Sequence, residues 1–152
     1  MTKLTLDTTV LAKGMIPPRR RKKDQVYMEQ FRMHTLAKAL IQEAEDSGSV
    51  MNVPSVALIE IAAVAARLTG KEELGIQASD YVREHGNILY DTHLLEEAVR
   101  IAAKTKISGF DAIYIACAGH TGSKLITDDS GMYEAAILAG VDAELLRNMT
   151  LR

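Results

Sequence analysis

Four carboxylate sites interrupt four otherwise apolar stretches of this 152-residue chain. Asp7 follows Lys3-Leu-Thr-Leu6. Glu60 is the only charge between Val53 and Ala66, and Asp111 is the only one between Ile107 and Gly119. Asp128 and Asp129 follow Leu125-Ile-Thr127. A carboxylate among apolar neighbours faces a large desolvation penalty unless it is paired, protonated or bound to a cation. Crowded carboxylates also repel, by about 1 kcal/mol per pair at ~4 Å in water and several-fold more near protein. Such a group shifts its pKa values upward or recruits cations.

Hard oxygen ligands select Mg²⁺, with Mn²⁺ as a close substitute. His34, His85, His93 and His120 are scattered without metal-ligand spacing, so nothing favours zinc. Carboxylate-held Mg²⁺ suits phosphodiester hydrolysis, where one ion helps to form hydroxide and a second stabilises the leaving oxygen. Thr8 and Thr9 offer further oxygen donors beside Asp7. Each acid also has a plainer role open to it. Asp7 could cap a turn, Glu60 could pair with Arg67, Asp111 could sit at the positive end of a helix, and Asp129 could cap the helix that follows. Asp128 and Asp129, being adjacent, point different ways, so one faces the site and the other turns out.

The elements that must position these acids follow from periodicity and punctuation. Leu4–Leu6, Val50–Val53, Asn87–Tyr90 and Lys124–Thr127 read as strands, and Val141–Leu145 as a fifth. Helical spacing predicts helices from Asp24 to Glu45, Ser55 to Thr69, Lys71 to Glu84, Asp91 or Thr92 to Lys104, Ser108 to Gly119, and Gly131 to Ala139. The helix bearing Glu60 is apolar nearly all round and is expected to be buried. Gly14-Met-Ile-Pro-Pro18 and the basic run Arg19, Arg20, Arg21, Lys22 and Lys23 break regularity. Alternating strands and helices predict an α/β fold: a three-layer α/β/α sandwich around a parallel sheet of four to five strands. Ligands of such sheets bind beyond the carboxyl ends of the strands. Asp7, the helix bearing Glu60, and Asp128-Asp129 all sit at those ends.

Residues 1–152 fit a single domain, and a chain of this length buries roughly 70% of its unfolded surface. A hydrophobic content of 47% excludes global disorder. Cys117, the only cysteine, sits between Ala116 and Ala118 and reads as a buried thiol. The net charge of −2 points to no partner class. No signal peptide or membrane-spanning stretch is legible, and the expectation is a soluble cytoplasmic protein.

Leu6-Asp-Thr-Thr-Val-Leu11, Val53-Pro-Ser-Val-Ala-Leu-Ile-Glu60, Phe110-Asp-Ala-Ile-Tyr-Ile-Ala-Cys-Ala118 and Leu125-Ile-Thr-Asp-Asp129 together resemble PIN-domain nucleases, and among them the VapC-type toxins. Each motif is weak alone; the ordered set spans nearly the whole chain. The resemblance implies a catalytic, metal-binding set of Asp7, Glu60, Asp111 and Asp129, choosing Asp129 over Asp128, with Thr9 and Thr127 in support. It implies Mg²⁺- or Mn²⁺-dependent cleavage of single-stranded RNA, a homodimer, and a cognate antitoxin as partner. Met132 replaces an aromatic residue frequent in the family. The long basic stretch before Asp24 could mark a subgroup acting in RNA processing. That run reads equally as an RNA phosphate contact or as a solvated loop. Two rival readings stand beside the nuclease. In a haloacid-dehalogenase-like phosphatase Asp7 would be the nucleophile, but Thr9 occupies the place of its acid/base Asp. A non-catalytic RNA- or protein-binding module is the other.

Overall fold

A computed structural model describes residues 1–151. Five strands form one parallel sheet in the order β3-β2-β1-β4-β5. These are β1 (Thr2–Leu6), β2 (Ser49–Pro54), β3 (Asn87–Leu89), β4 (Lys124–Thr127) and β5 (Ala143–Leu145). The helices are α1 (Thr8–Met15), α2 (Gln25–Glu45), α3 (Val56–Thr69), α4 (Glu72–His85), α5 (Asp91–Thr105), α6 (Gly109–Thr121) and α7 (Ser130–Leu138). Helix α1 packs on α2 and α3, and α3 packs on α4. Helix α6 packs on α5, β1, β2 and β4. The result is the expected three-layer sandwich, in which α1–α4 pack together as one helical group and α5–α7 as another.

The connections run one way from β1 to β2 and β3, and the other way from β4 to β5. The chain therefore reverses between β1 and β4, and a crevice opens there at the strands' carboxyl ends. Register makes the crevice specific. Leu6 pairs with Ile126, and the Asp7 amide donates to the Ile126 carbonyl at 3.1 Å. Asp7 is thereby held level with Thr127, the last residue of β4. Beneath it Leu6, Val53, Leu125 and Ile126 are essentially inaccessible to solvent, as strands covered on both faces must be.

Several local expectations need correction. Helix α1 was not expected, because its eight residues sit before a Gly-Pro-rich stretch. Gly14 lies inside it rather than breaking it. A Cβ there would stand 2.6 Å from Ile41 Cδ1 and 3.0 Å from the Ala37 backbone, so the glycine allows close approach of α1 to α2. Helix α3 is not buried all round: Val56, Ala57, Ile61 and Ala65 face inward while Ile59 is 73% exposed. Val26 and Phe31 of α2 are likewise exposed, and Met33, Leu36, Ala37 and Ile41 carry its buried face. Tyr90 takes the N-cap position of α5 without a side-chain capping bond, and Asp91 lies in the first turn rather than at the cap. Cys117 is fully buried and burial pushes its thiol up to about 12, so it packs as an apolar group. Among the described residues no helix is long and apolar enough to cross a membrane.

Candidate active site

Asp7 is only 2% exposed, at the junction of β1 and α1. Its Oδ1 accepts hydrogen bonds from Thr9 Oγ1 at 2.7 Å and from the Val10 amide at 3.0 Å. Its Oδ2 accepts from Thr127 Oγ1 at 2.5 Å. The cap that starts α1 thus fixes the carboxylate over the crevice. Burial pushes the Asp7 carboxyl above the usual range, against the hydrogen bonds from Thr127, Val10 and Thr9 and the charge of Lys13. Asp7 therefore does cap a helix, and the same hydrogen bonds hold its carboxylate at the crevice.

Thr127 carries the link onward. Its Oγ1 donates to Asp7 and accepts from the Asp129 amide at 3.0 Å. Asp129 Oδ1 in turn caps α7 by accepting from the Met132 amide at 3.1 Å. Met132 is buried beneath. Asp128 turns the other way: Lys13 Nζ lies 3.2 Å from its Oδ2 and Arg147 Nε 3.1 Å from its Oδ1. The two neighbours therefore differ: the Asp129 carboxylate caps α7 and its charge acts on Asp111, whereas Asp128 sits in an ion-pair cluster.

Tyr114, which sequence reasoning overlooked, joins the remaining acid to the crevice. Its ring is buried, and its Oη donates to Glu60 Oε1 at 3.0 Å. The same hydroxyl shares a hydrogen bond with Thr8 Oγ1, next to Asp7. Burial holds the phenol far above its ordinary pKa, so it remains a neutral donor. Tyr114 lies one turn after Asp111 on α6, and a lone phenol three residues from the acid was the available signal.

Asp111 sits in the first turn of α6, whose cap Ser108 accepts from the Asp111 amide at 3.4 Å. Burial and then the charge of Asp129 raise its carboxyl, while the Ser108 hydrogen bond opposes them. Asp111 and Asp129 line one cleft with Glu134. The four acids are thus linked as neighbours by Thr127, Tyr114 and that cleft. They are not closed into a cage: among the described residues no three His, Cys, Asp or Glu side chains converge tightly enough to hold a metal ion. The donor chemistry nevertheless fits a hard divalent cation. The ligands on offer are carboxylate and hydroxyl oxygens, and burial raises the carboxyls of Asp7 and Asp111, a penalty on their charged forms that a bound cation would relieve.

The basic run between α1 and α2 is exposed. Arg20 grips Asp24, the cap of α2, at 2.9 and 2.6 Å, and holds its carboxyl down to about 2. Lys23 lies 3.8 Å over the Tyr27 ring. Part of the run therefore builds the start of α2, and Arg19 lines a cleft that also reaches Thr9.

A family model described as PIN domain matches residues 5–138. No match is found among curated proteins. Among solved structures, FitAB bound to IR36 DNA is similar with a TM-score of 0.64, 16% identity, and coverage of 97% of this chain and 98% of that one. FitAcB from Neisseria gonorrhoeae gives a TM-score of 0.61 at 15% identity over 96% and 99%. VapBC2 from Rickettsia felis, bound to a DNA fragment from their promoter, gives 0.59 at 15% identity over 95% and 98%. At these identities the likeness is one of fold.

Proposed function

This chain belongs to the PIN-domain family, and from that premise we propose that it is a metal-dependent endoribonuclease acting on single-stranded RNA. The observation that carries the reading is the Asp7–Thr127–Asp129 link across the β1/β4 reversal, with Glu60 and Asp111 drawn to the same crevice. Asp7, Glu60, Asp111 and Asp129 would hold Mg²⁺ or Mn²⁺. Bound there, the ion supplies an acidified water and offsets charge on the leaving oxygen.

The chain's own residues do the rest. Thr127, Thr9 and the Val10 amide fix both oxygens of Asp7, so little ordering remains when a cation or substrate arrives. Tyr114 orients Glu60 and cannot itself ionise at working pH. Asp111 and Asp129 line an open cleft that a phosphodiester can enter. Arg19, Arg20, Arg21, Lys22 and Lys23 form an exposed basic strip for the RNA backbone. A phosphatase reading leaves Glu60 and Asp111 idle, and all three hydrogen bonds on Asp7 would burden it as a nucleophile.

A homodimer in the cytoplasm, controlled by an antitoxin, completes the proposal. It is supported by the resemblance to VapC-type toxins and the fold shared with VapBC2 and FitAB. The test is to offer the wild-type protein, with Mn²⁺, a labelled single-stranded RNA, the same RNA as a duplex, and a phosphomonoester. Internal cleavage of the single strand supports the reading. Turnover of the phosphomonoester alone overturns it.

A further inference from the structure

Two clefts of opposite character adjoin the acids. The first is acidic, lined by Asp111, Asp129 and Glu134. The second has a volume of 340 Å³ and not one acidic residue in its lining. Pro17, Pro18 and Leu68 give it apolar walls, and Arg19, Gln30 and His34 give it polar ones. Thr9 lines it as well, and its hydroxyl donates to Asp7 Oδ1 at 2.7 Å. The second cleft therefore opens one side chain away from the most buried acid. Leu68 is 49% exposed there, an apolar surface at the end of the helix that carries Glu60.

The polar groups are set for recognition rather than for packing. His34 Nδ1 lies 2.6 Å from the Lys13 carbonyl, which can only accept, so Nδ1 carries the proton. In the neutral ring Nε2 is then left as an acceptor. Gln30 is exposed and offers both a donor and an acceptor. Arg19 is exposed at the rim, where the basic run begins. Apolar walls, an edge that can both donate and accept, and a cation beside them match a nucleotide with its base unstacked.

We propose that this cleft is a subsite for one unpaired base of the RNA, beside the phosphate that is cut. The base lies against Pro17, Pro18 and Leu68, its edge meets Gln30 and His34, and Arg19 meets the adjoining phosphate. The inference rests on the nuclease reading and assigns it a position of sequence preference.

The experiment measures binding of fluorescein-labelled decamer RNAs by anisotropy without metal, and cleavage of the same RNAs with Mn²⁺. Each RNA is made intact and with an abasic sugar at successive positions. For the wild type, losing the base at one position weakens binding by roughly 5- to 150-fold, the range for one stacked base. In Leu68→Asp intact RNA binds more weakly by a similar factor, and removing that base costs nothing further. Gln30→Ala, an exposed change that leaves the fold alone, relaxes the base preference of cleavage at that position. Equal abasic losses in the wild type and Leu68→Asp, together with an unaltered preference in Gln30→Ala, would overturn the subsite. Intact cleavage with those results sinks the subsite and spares the nuclease reading. Abasic losses that vanish in Leu68→Asp, without RNA cleavage by the wild type, uphold the cleft as a base-binding site and sink the nuclease reading, and with it the cut phosphate beside the base.

Discussion

Tyr114 donates its phenolic hydrogen to Glu60 at 3.0 Å, joining α6 to α3 across the crevice. The same hydroxyl meets Thr8, beside Asp7, so one buried phenol ties three elements to the acidic site. Tyr114→Phe keeps the ring and removes the tie. A group that orients a ligand side chain is commonly worth about 10–100-fold in metal affinity or activity. The variant should lose that much in kcat/KM and need more Mn²⁺ for half-maximal rate. Its thermal midpoint should fall as well, since the hydroxyl makes two hydrogen bonds, to Glu60 and Thr8, each contributing about 1 kcal/mol. Normal Mn²⁺ dependence with normal rate would remove Tyr114 from the site.

The pH dependence of stability reports on Asp7. Folding raises its pKa through burial. A carboxyl raised by folding favours the folded state while it is protonated. That contribution is complete below the ordinary Asp value of about 3.9 and is lost as pH rises through the raised one. Metal-free protein should therefore lose stability as pH rises from about 3.9, the ordinary Asp value, through the raised one. Asp7→Asn, which never ionises, should lose less over the same range and melt higher at neutral pH. Parallel curves for the two proteins would contradict the assignment. Asp111 shifts in the same direction, so some slope should persist in the variant.

Asp128 and Asp129 should separate cleanly in mutagenesis. Asp128→Asn breaks partly exposed ion pairs with Lys13 and Arg147, costing up to about 1 kcal/mol of stability. It should leave cleavage intact, whereas Asp129→Asn should remove most of it. Paired kinetic and melting measurements distinguish the two, and the reverse pattern would reassign the site.

Helix α3, which carries Glu60, packs closely on α4. A Cβ on Gly75 would run into the Ala62 carbonyl oxygen and stand 3.0 Å from Ala66 Cβ. Gly75→Ala should destabilise by about 1–3 kcal/mol through overpacking, although alanine is the better helix former by about 1 kcal/mol. Chemical denaturation measures this, and a gain in stability would show that α3 and α4 have room to part.

The sheet was legible because its strands are short apolar runs bounded by glycine, proline and polar caps, and β1 and β4 end in the acids themselves. Asp7 was conspicuous for the same reason, an acid at a strand end, but after β4 the residues left Asp128 and Asp129 both open, and only the resemblance chose Asp129. Helix α1 was hidden because eight residues give too few turns for periodicity, and its Gly14 reads as a breaker until α2 lies against it. Ile59 was misjudged because an apolar stretch does not state which side meets the sheet. Tyr114 was missed because its partner Glu60 lies 54 positions away, and only the fold brings them to hydrogen-bond distance.

Cleavage of a single-stranded RNA by chelator-treated protein, followed as Mn²⁺ is restored, tests the central claim most directly. The wild type should be silent after chelation and recover with added Mn²⁺. Asp7→Asn and Asp111→Asn, folded by circular dichroism, should stay silent at every Mn²⁺ concentration. Cleavage that persists in chelator, or that survives both substitutions undiminished, would contradict a carboxylate-held metal as the seat of the activity.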